Sequence, residues 1–484
     1  MAQKRAFNEG RRHFKKSKKQ KTDTTVSAGS NEDVLLKDIR SMLQDLNIEK
    51  VEDVVIEPNE VELSISKLSS TGDGLAEKDG QIYVVPFTAP GDIVKAKVYK
   101  HTPEESYALA DFLEVVKPSD HRTVKPECPY FSQCSGCQFQ HLPYTFQLAH
   151  KRSVVEKAFR NFSGLSDSLL PTVGDTVGSP LQYGYLSWDA VPPIGFMKKG
   201  TRRTMDIEDC PIGTQAVRDG MKRERERVNK NIDTYQRGAT LLLRESTTRS
   251  KDDGNTQDAK TCITDHKATS TEYVDDFRLD NPAGSFFQNN NSILPVVTSY
   301  IRDNILGEGQ PPKYMIDAYC GSGFFTITLS TMFERSIGID ISSQSIDFAS
   351  KNAKLNNLPD TAVKFIAGDA NALFASVDKK LFPPDETAIV IDPPRKGCDE
   401  GFISQLIDFG PSRICYVSCN VHTQARDIGW LVGGLGERSG MYTIESLRGF
   451  DFFPQTSHVE GVAVLSRKVQ QYDVEPDANV EPVS

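Results

Sequence analysis

The sequence predicts an α/β protein made of a small N-terminal β-barrel, a central α+β domain with a cysteine cluster, and a C-terminal doubly wound domain. Short alternating segments separated by glycines run from Val61 to about Val116. Three cysteines lie between Cys128 and Cys137, and strand patterns alternate with helix patterns after residue 286. With 484 residues the chain is too long for one hydrophobic core, so several domains are expected.

The domain limits are placed where the composition changes. Nine lysines and arginines crowd the first 21 residues against one acid, Glu9. We expect a disordered arm there that contacts RNA or directs nuclear import, with a solvated tail lacking any partner as the alternative. The predicted limits are a basic arm over 1–30, an amphipathic helix and linker over 31–55, the barrel over 56–118, the central domain over 119–285, the C-terminal domain over 286–470 and an acidic tail over 471–484.

Composition restricts the compartment and the partners. A net charge of −9 argues against a nucleic-acid partner, but it hides the basic N-terminus. The sequence has neither an apolar run of about eighteen residues nor a secretory signal. We therefore expect no membrane contact and an intracellular location, in the nucleus, cytoplasm or mitochondrion. In such a reducing compartment the nine cysteines are interpreted as thiols, metal ligands or a nucleophile.

The N-terminal third contains a helix pattern followed by strand patterns. Helical spacing of apolar residues predicts a short amphipathic helix from Asn31 to Ile48 that packs on a neighbour. Beyond it, Glu62–Ile65, Gln81–Val85 and Asp92–Val98 show the alternation that is typical of β-strands. Short strands at such spacing, separated by glycines, predict a small barrel.

The central domain contains three cysteines within ten residues, Cys128, Cys134 and Cys137, a pattern typical of a metal centre. Cys210 lies far downstream, and the fourth ligand can come from anywhere in the chain. Thiolates bind soft metals, so Zn²⁺ and an iron–sulfur cluster both fit, and the spacing does not separate them. Ordinary free thiols are the remaining alternative.

The rest of the central domain is predicted to contain mixed strands and one charged helix, from Gln215 to Asn231. The stretch from Thr247 to Thr271 is polar and poor in apolar residues, so we expect a long surface loop there. Neither segment carries chemistry by itself.

A glycine turn opens the C-terminal domain. The predicted strand Met315–Ala318 runs into Gly321-Ser322-Gly323, and Asp340 ends the next strand about twenty residues later, where a carboxylate can bind ribose hydroxyls. A dinucleotide would fit the same pattern, but Thr326 replaces the third glycine of its fingerprint, so no pyrophosphate site is completed. The turn is therefore typical of a site for the adenosyl part of a methyl donor.

The elements after the turn predict a doubly wound domain. Asp392-Pro393-Pro394-Arg395 follows an apolar strand, at the end where open α/β sheets bind ligands. An aromatic residue in place of Arg395 would indicate methylation of an amino group. Asp369 is a further candidate donor-binding residue, which would contact the edge of the adenine ring. The predicted helices are Phe324–Met332 and Ser342–Leu355, and the predicted strands are Ser336–Asp340, Val363–Ile366, Ala388–Ile391 and Arg413–Val417.

A thiol and a carboxylate complete the candidate site. Cys419 follows the strand Arg413–Val417, and Glu460 lies about forty residues further on. Carbon 5 of uracil is a poor nucleophile until a thiolate adds to carbon 6, and after methyl transfer a base must remove the carbon 5 proton. The two residues therefore predict carbon methylation of a pyrimidine, which in folded RNA must be flipped out to be reached. A buried structural thiol is the alternative for Cys419.

Five motifs resemble the signatures of one family, the RNA 5-methyluridine methyltransferases. They are Phe287-Gln288-Asn289, the stretch from Asp317 to Gly323, the stretch from Asp392 to Gly397, Ser418-Cys419-Asn420 and the stretch from Asp451 to Glu460. The segment LSSTGDGLAEKDG resembles the start of a TRAM domain, an OB-like barrel that binds RNA. The implied architecture is a TRAM barrel, a central domain and a Rossmann-like methyltransferase domain.

The resemblance implies a role for each candidate residue. Cys419 is implied as the nucleophile and Glu460 as the proton acceptor. Binding of S-adenosylmethionine is implied for Gln288, Tyr319, Asp340 and Asp392. A [4Fe–4S] cluster, as in bacterial ribosomal members of the family, is implied at Cys128, Cys134, Cys137 and Cys210.

The motifs are most similar to those of the eukaryotic branch that acts on tRNA. The resemblance thus implies methylation of uridine 54 in the T-loop of tRNA, and we expect a monomer. Because the cysteine cluster resembles that of the ribosomal RNA enzymes, the same reaction on ribosomal RNA stays open. The segment after Tyr183 is shorter than in the family, and a non-catalytic RNA-binding role is the third alternative.

Overall fold

The structure is a computed structural model that describes residues 26–48, 59–184, 188–190, 194–201, 203–231, 234–235, 240–252, 255–368, 374 and 377–468. The acidic tail, Asp369 and the first 25 residues of the chain lie outside these ranges. No helix within them is long and apolar enough to cross a membrane. The α-helices are α1 (Asn31–Asp45), α2 (Tyr144–Phe162), α3 (Gln215–Lys230), α4 (Leu294–Ile305), α5 (Phe324–Leu329), α6 (Ser343–Leu355), α7 (Glu400–Phe409) and α8 (Val421–Gly433).

The strands form a six-stranded sheet, an eight-stranded sheet and several smaller ones. They are β1 (Glu60–Ser64), β2 (Lys67–Leu68), β3 (Gly74–Lys78), β4 (Gln81–Val85), β5 (Ile93–Thr102), β6 (Tyr107–Lys117), β7 (Gly174–Val177), β8 (Trp188–Ala190), β9 (Leu241–Asp252), β10 (Asn255–Ile263), β11 (Thr269–Val274), β12 (Phe277–Pro282), β13 (Tyr314–Ala318), β14 (Arg335–Asp340), β15 (Val363–Ala367), β16 (Thr387–Ile391), β17 (Arg413–Ser418), β18 (Gly434–Leu435), β19 (Arg438–Ser439), β20 (Tyr442–Phe450) and β21 (Glu460–Arg467).

The N-terminal barrel is the six-stranded sheet, in the order β1-β5-β6-β4-β3-β2. Alternate residues of β5 point into the barrel, where Val94 and Ala96 are fully buried together with Val85 of β4. The three predicted strand segments appear as β1, β4 and β5, and the predicted first helix appears as α1. The barrel prediction is therefore confirmed.

The C-terminal domain is built on the eight-stranded sheet, in the order β15-β14-β13-β16-β17-β21-β20-β7. The strands from β15 to β17 pair in parallel, and β21 pairs antiparallel with both neighbours. The central strands β16 and β17 are buried throughout, as expected for a parallel sheet that helices cover on both faces. This architecture confirms the doubly wound prediction.

One helix and one strand from before residue 286 are part of that sheet and its core. Strand β7 forms the outer edge beside β20, and α2 buries Val155 and Phe159 in the core under the sheet. Part of residues 119–285, namely α2 and β7, therefore packs with the C-terminal sheet rather than with the rest of the central part. The predicted domain limits remain a prediction.

The prediction of a long loop from Thr247 to Thr271 is wrong. This stretch forms most of the antiparallel hairpin of β9 and β10 and the start of β11. Strand β10 lies at the edge of its sheet, and most of its residues are exposed on both faces. A strand with no buried face has no apolar alternation, which is why the sequence pattern indicated a loop.

Candidate active site

Four candidate residues lie at one edge of the eight-stranded sheet. Tyr319 follows β13, Asp340 ends β14, Asp392 follows β16 and Cys419 follows β17. Because these strands are adjacent and parallel, their carboxyl ends meet at the same edge. Open α/β sheets bind their ligands at this edge.

The glycine turn after β13 depends on left-handed backbone conformations. Gly321 has φ +54° and Gly323 has φ +90°, and a Cβ on Gly323 would lie 3.0 Å from the ring of Phe365. The Asp340 carboxylate accepts hydrogen bonds from the amides of Gly321 at 3.0 Å and Ser342 at 2.8 Å. Asp340 is thus fixed beside the turn, and its contact with a ribose stays a prediction.

Cys419 and Glu460 face each other across two antiparallel strands. Strands β17 and β21 pair with Ser418 opposite Gly461, so Cys419 and Glu460 occupy the next facing positions. Glu460 is only 2% exposed, whereas Cys419 is half-buried and opens into a large cleft. The structure therefore brings the predicted nucleophile and the predicted base together.

Burial raises the pKa of three acids at this site, Cys419, Asp392 and Glu460. Neighbouring carboxylates add to the shift at Cys419 and Glu460. Burial raises the pKa of the Cys419 thiol to about 12, and the carboxylates of Glu460 and Asp392 add to the effect. Burial raises the pKa of Asp392 to about 7. Burial and the neighbouring Asp392 raise the pKa of Glu460 well above its usual range, while the Arg395 guanidinium opposes the shift. Glu460 is therefore a stronger base than an exposed carboxylate.

Arg395 contacts Cys419, and the sequence reasoning missed this contact. Its guanidinium forms a hydrogen bond with Cys419 that lowers the pKa of the thiol. Its backbone carbonyl accepts hydrogen bonds from the Asn420 amide at 3.0 Å and the Thr423 hydroxyl at 3.1 Å. A cation placed after two prolines at the carboxyl end of β16 was the available signal for this contact.

The cleft beside Cys419 has a volume of 550 Å³, which is within the usual range for ligand sites. Loops from the barrel, the central part and the methyltransferase domain all line it. Its lining includes Thr71, Gln138, Ser457 and His458.

Three of these loops meet around Gln138. The Gln138 amide donates to the Thr71 carbonyl at 2.8 Å, and its side-chain oxygen accepts from the Ser457 amide at 3.0 Å. The Gln138 backbone N–H donates to the Gln455 carbonyl at 2.7 Å. Gly72, at φ +87°, fits beside them, since a Cβ there would lie 2.8 Å from the Ser457 Cβ. We call Thr71, Gln138, Gln455 and Ser457 the three-loop junction.

A buried ion pair anchors the loop that leads to Glu460. Lys151 of α2 pairs with Asp451, and both side chains are 0% exposed. Lys151 also donates to the Phe453 carbonyl at 3.0 Å, and the Tyr144 hydroxyl donates to Asp451 at 2.7 Å. Helix α2 thus holds the segment between β20 and β21 in place.

Gln288 lines a second cavity, of 310 Å³, rather than the cleft beside Cys419. Its neighbour Phe287 is buried, with its ring centroid 6.0 Å from that of Phe324, the first residue of α5. The segment is therefore near the glycine turn. The contact of Gln288 with a methyl donor stays a prediction.

The four predicted metal ligands, Cys128, Cys134, Cys137 and Cys210, line one small cavity. The Gly136 amide donates to the Cys134 Sγ at 3.4 Å, and burial raises the pKa of Cys137 to about 12. In the ranges that the structure describes, no group of three or more His, Cys, Asp or Glu side chains is arranged so that it could hold a metal ion. The thiols are gathered as predicted, and metal binding stays a prediction.

Known protein families match two parts of the chain. A TRAM domain model matches residues 58–113, and the tRNA (Uracil-5-)-methyltransferase model matches residues 259–468. The chain is 46% identical to the tRNA (uracil(54)-C(5))-methyltransferase of Schizosaccharomyces pombe, over 94% of this chain and 87% of that protein. It is 36% identical to the Saccharomyces cerevisiae protein of the same name, over 92% of this chain and 80% of that protein.

A solved structure has the same fold. The tRNA (uracil-54, C5)-methyltransferase of Pyrococcus abyssi, in complex with S-adenosyl-L-homocysteine, matches with a TM-score of 0.62 and 24% identity, over 84% of this chain and 100% of that chain. This fold, together with the two fungal relatives and the matching family, makes the chain an S-adenosylmethionine-dependent methyltransferase. The sequence relatives go further, and the chain belongs to the tRNA (uracil-5-)-methyltransferase family.

Proposed function

We propose that this protein methylates carbon 5 of uridine 54 in tRNA, with S-adenosylmethionine as the donor. The observation that carries the proposal is the pairing of Cys419 and Glu460 at facing positions beside the carboxyl ends of parallel strands. Both fungal relatives carry the name of this reaction.

The Cys419 sulfur is proposed to add to carbon 6 of uracil. Because burial raises the pKa of Cys419 to about 12, the thiol has to lose its proton before it adds to the ring, and the open cleft gives the sulfur access to solvent. The Arg395 guanidinium stabilises the thiolate that forms. The new carbon–sulfur bond moves ring electrons to carbon 5 and oxygen 4, which makes carbon 5 nucleophilic.

Glu460 is proposed to complete the reaction. When bound, S-adenosylmethionine would supply an electrophilic methyl group to carbon 5, and it would leave as S-adenosylhomocysteine. Asp340 beside the glycine turn, with Tyr319 and Asp392, would hold the donor at the strand ends. Glu460 then removes the carbon 5 proton, and the bond between carbon 6 and Cys419 breaks, which restores the ring and the thiolate.

We propose further that the four cysteines hold a [4Fe–4S] cluster. The support is that all four thiols line one small cavity. A cluster of this type takes one thiolate on each of its four irons, which matches that number. Because methyl transfer needs no electron, the cluster would serve to fix Cys137 and the adjoining three-loop junction. Iron and sulfide in equal amounts after anaerobic purification would support this, and stoichiometric zinc would refute it.

The alternatives differ in substrate and in activity. Ribosomal RNA is favoured only by the resemblance of the cysteine pattern, while the named fungal relatives favour tRNA. A non-catalytic role is disfavoured by the presence of Cys419, Glu460 and Asp340 in one site.

The test is nucleoside mass spectrometry after incubation with S-adenosylmethionine and three RNAs. These are a tRNA transcript, the same transcript with cytidine at position 54, and large-subunit ribosomal RNA. We expect 5-methyluridine in the first RNA alone, no product with Cys419→Ala, and normal product with Cys262→Ala, a half-buried thiol outside the site. Product only in ribosomal RNA would overturn the assignment of tRNA as the substrate. Product in none of the three RNAs would overturn the proposed reaction.

A further inference from the structure

Residues 26–45, which we call the N-terminal strap, precede the barrel and include α1. The apolar face of α1 packs on the barrel through Leu36, Ile39 and Met42, against Leu75, Ile82, Val84 and Tyr107. Asp38 of α1 is only 4% exposed, and its carboxylate accepts a hydrogen bond from the Ser70 amide and lies 3.6 Å from the Lys157 ammonium. The C-terminal part of the strap is thus fixed to the barrel and to α2.

The start of the strap contacts the loop that carries the nucleophile. The Gly29 carbonyl accepts a hydrogen bond from the Asn420 side chain at 3.3 Å, directly after Cys419. Gly29 has φ +73°, and a Cβ there would lie 2.9 Å from the Thr423 Cγ2. Asn420 and Thr423 also bind the Arg395 carbonyl. The strap therefore touches both side chains that connect Arg395 to the first turn of α8.

A third contact lies beside the first turn of α8. The Lys37 ammonium lies 3.8 Å from the centre of the Phe162 ring and donates a hydrogen bond to the Asn161 carbonyl. The Phe162 ring in turn lies 5.1 Å from the ring of His422, between centroids. The strap therefore contacts the barrel and also the loop after β17 that carries Cys419, which we call the catalytic loop.

The outer side of the strap is part of the substrate cleft. Asn31 and Glu32 are exposed and line it together with Leu35, and Cys419 and His458 line the same cleft. A base that reacts with Cys419 must leave its RNA stack, so its flanking nucleotides have to contact the walls of this cleft.

We propose that the N-terminal strap is part of the RNA-binding apparatus. It forms one wall of the cleft for the RNA loop that carries the target uridine, and it holds the catalytic loop in position through Gly29. This inference rests on the proposed function and deepens it.

The test exploits the space around Gly29. Gly29→Ala places a methyl group against Thr423 and displaces the strap, whereas Gly309→Ala has a similar positive φ, +98°, with nothing within 4 Å. We expect Gly29→Ala to lower kcat/KM for tRNA by about 10-fold to 100-fold, because small misplacement of a reacting group has effects of that order. The Kd of S-adenosylmethionine and the thermal midpoint should match those of Gly309→Ala.

A rescue variant separates positioning from general damage. Thr423→Ser removes the Cγ2 methyl but keeps the hydroxyl that binds the Arg395 carbonyl. The double variant Gly29→Ala with Thr423→Ser should therefore recover most of the lost kcat/KM, measured against Thr423→Ser alone. Equal kcat/KM for Gly29→Ala and Gly309→Ala, in an enzyme that methylates tRNA, would overturn the role of the strap and leave the proposed function standing.

Hydrogen exchange tests the wall directly. On the full-length enzyme, tRNA should slow amide exchange in residues 26–36 by at least about 10-fold, and S-adenosylmethionine alone should leave it unchanged. Protection of the catalytic loop without any protection of residues 26–36 would mean that RNA binds but does not contact the strap, which would overturn the proposal.

Discussion

We call the edge of the eight-stranded sheet where β13, β14, β16 and β17 end the catalytic edge. It and the three-loop junction are built in different ways. At the catalytic edge, Asp340 ends its strand, whereas Asp392 and Cys419 each follow theirs, and adjacency of the parallel strands brings them together. At the three-loop junction, Gln138 joins loops from the barrel and from the segment before Glu460 by single hydrogen bonds. The first arrangement follows from the sheet, and the second depends on side chains that can be changed one at a time. Chemistry and substrate positioning should therefore respond differently to substitution.

The largest expected effect is at the catalytic edge itself. Glu460→Gln keeps the shape of the side chain but cannot accept the carbon 5 proton, so turnover should fall by about 10²- to 10⁴-fold while the methylated adduct on Cys419 accumulates. A denaturing gel with labelled methyl groups detects the adduct between protein and RNA. Glu445→Gln is the control and should turn over normally, because this partly exposed residue of β20 lies outside the site and pairs with Arg413 of β17. Labelled adduct in neither variant would contradict the assignment of Glu460.

The second effect tests whether the loop before Glu460 depends on α2. Lys151→Met leaves the Asp451 carboxylate buried without its cation and should reduce the free energy of unfolding by about 3–5 kcal/mol, measured with urea. Arg152→Met, the next residue, removes only exposed pairs with Glu156 and Asp175 and should cost much less, because solvent screens such pairs. Equal losses for the two variants would mean that the buried pair does not anchor the loop.

The third prediction concerns pH and the sheet beneath the catalytic edge. Burial raises the pKa of Asp317 in β13 from 3.8 to about 7, although hydrogen bonds from Thr326 oppose the shift. The folded state therefore binds more protons than the unfolded state between these pH values, and stability falls as pH rises. Between pH 5 and pH 7 the loss from this group should be about 2 kcal/mol.

The measurement for Asp317 is urea unfolding at pH 5 and pH 7. Asp317→Asn should remove most of this pH dependence, because the amide does not titrate. Asp360→Asn, an exposed residue after α6, should keep the slope of the unchanged protein. If Asp317→Asn keeps the full slope as well, the pH dependence comes from other groups at the edge.

The smallest effect is expected at the three-loop junction. Gln138→Ala removes the hydrogen bonds to Thr71 and Ser457, each worth about 1 kcal/mol, so kcat/KM for tRNA should fall by about 10- to 30-fold. The Kd of S-adenosylmethionine should not change. Gln133→Ala, an exposed position of the same loop, is the matched control. A similar fall in donor affinity would show that the junction affects the donor site as well as substrate positioning, so that the two regions do not respond separately.

The same contrast explains how much the sequence predicted. Asp340, Asp392 and Cys419 could be found because a residue after a buried strand pattern has a known place in a parallel sheet. The contacts of Lys151 with Asp451 and of Gln138 with Ser457 join residues about 300 positions apart, and no local pattern encodes them. Strand β10 was predicted as a loop because its exposed side chains carry no periodic signal. Arg395 was noticed in its motif, but its hydrogen bond to Cys419 required the folded site.

The position of β7 has a consequence for synthesis of the chain. This strand leaves the ribosome early, yet its partner β20 is followed only by β21 in the sheet, and both come from the last described residues. The barrel ends at Lys117 and can fold as a unit while translation continues, because all six of its strands are already present. The polypeptide from α2 to β7 keeps its apolar face exposed until β20 has been synthesised. Premature termination before β20 thus yields a nascent chain whose waiting segment is a target for chaperones and proteases.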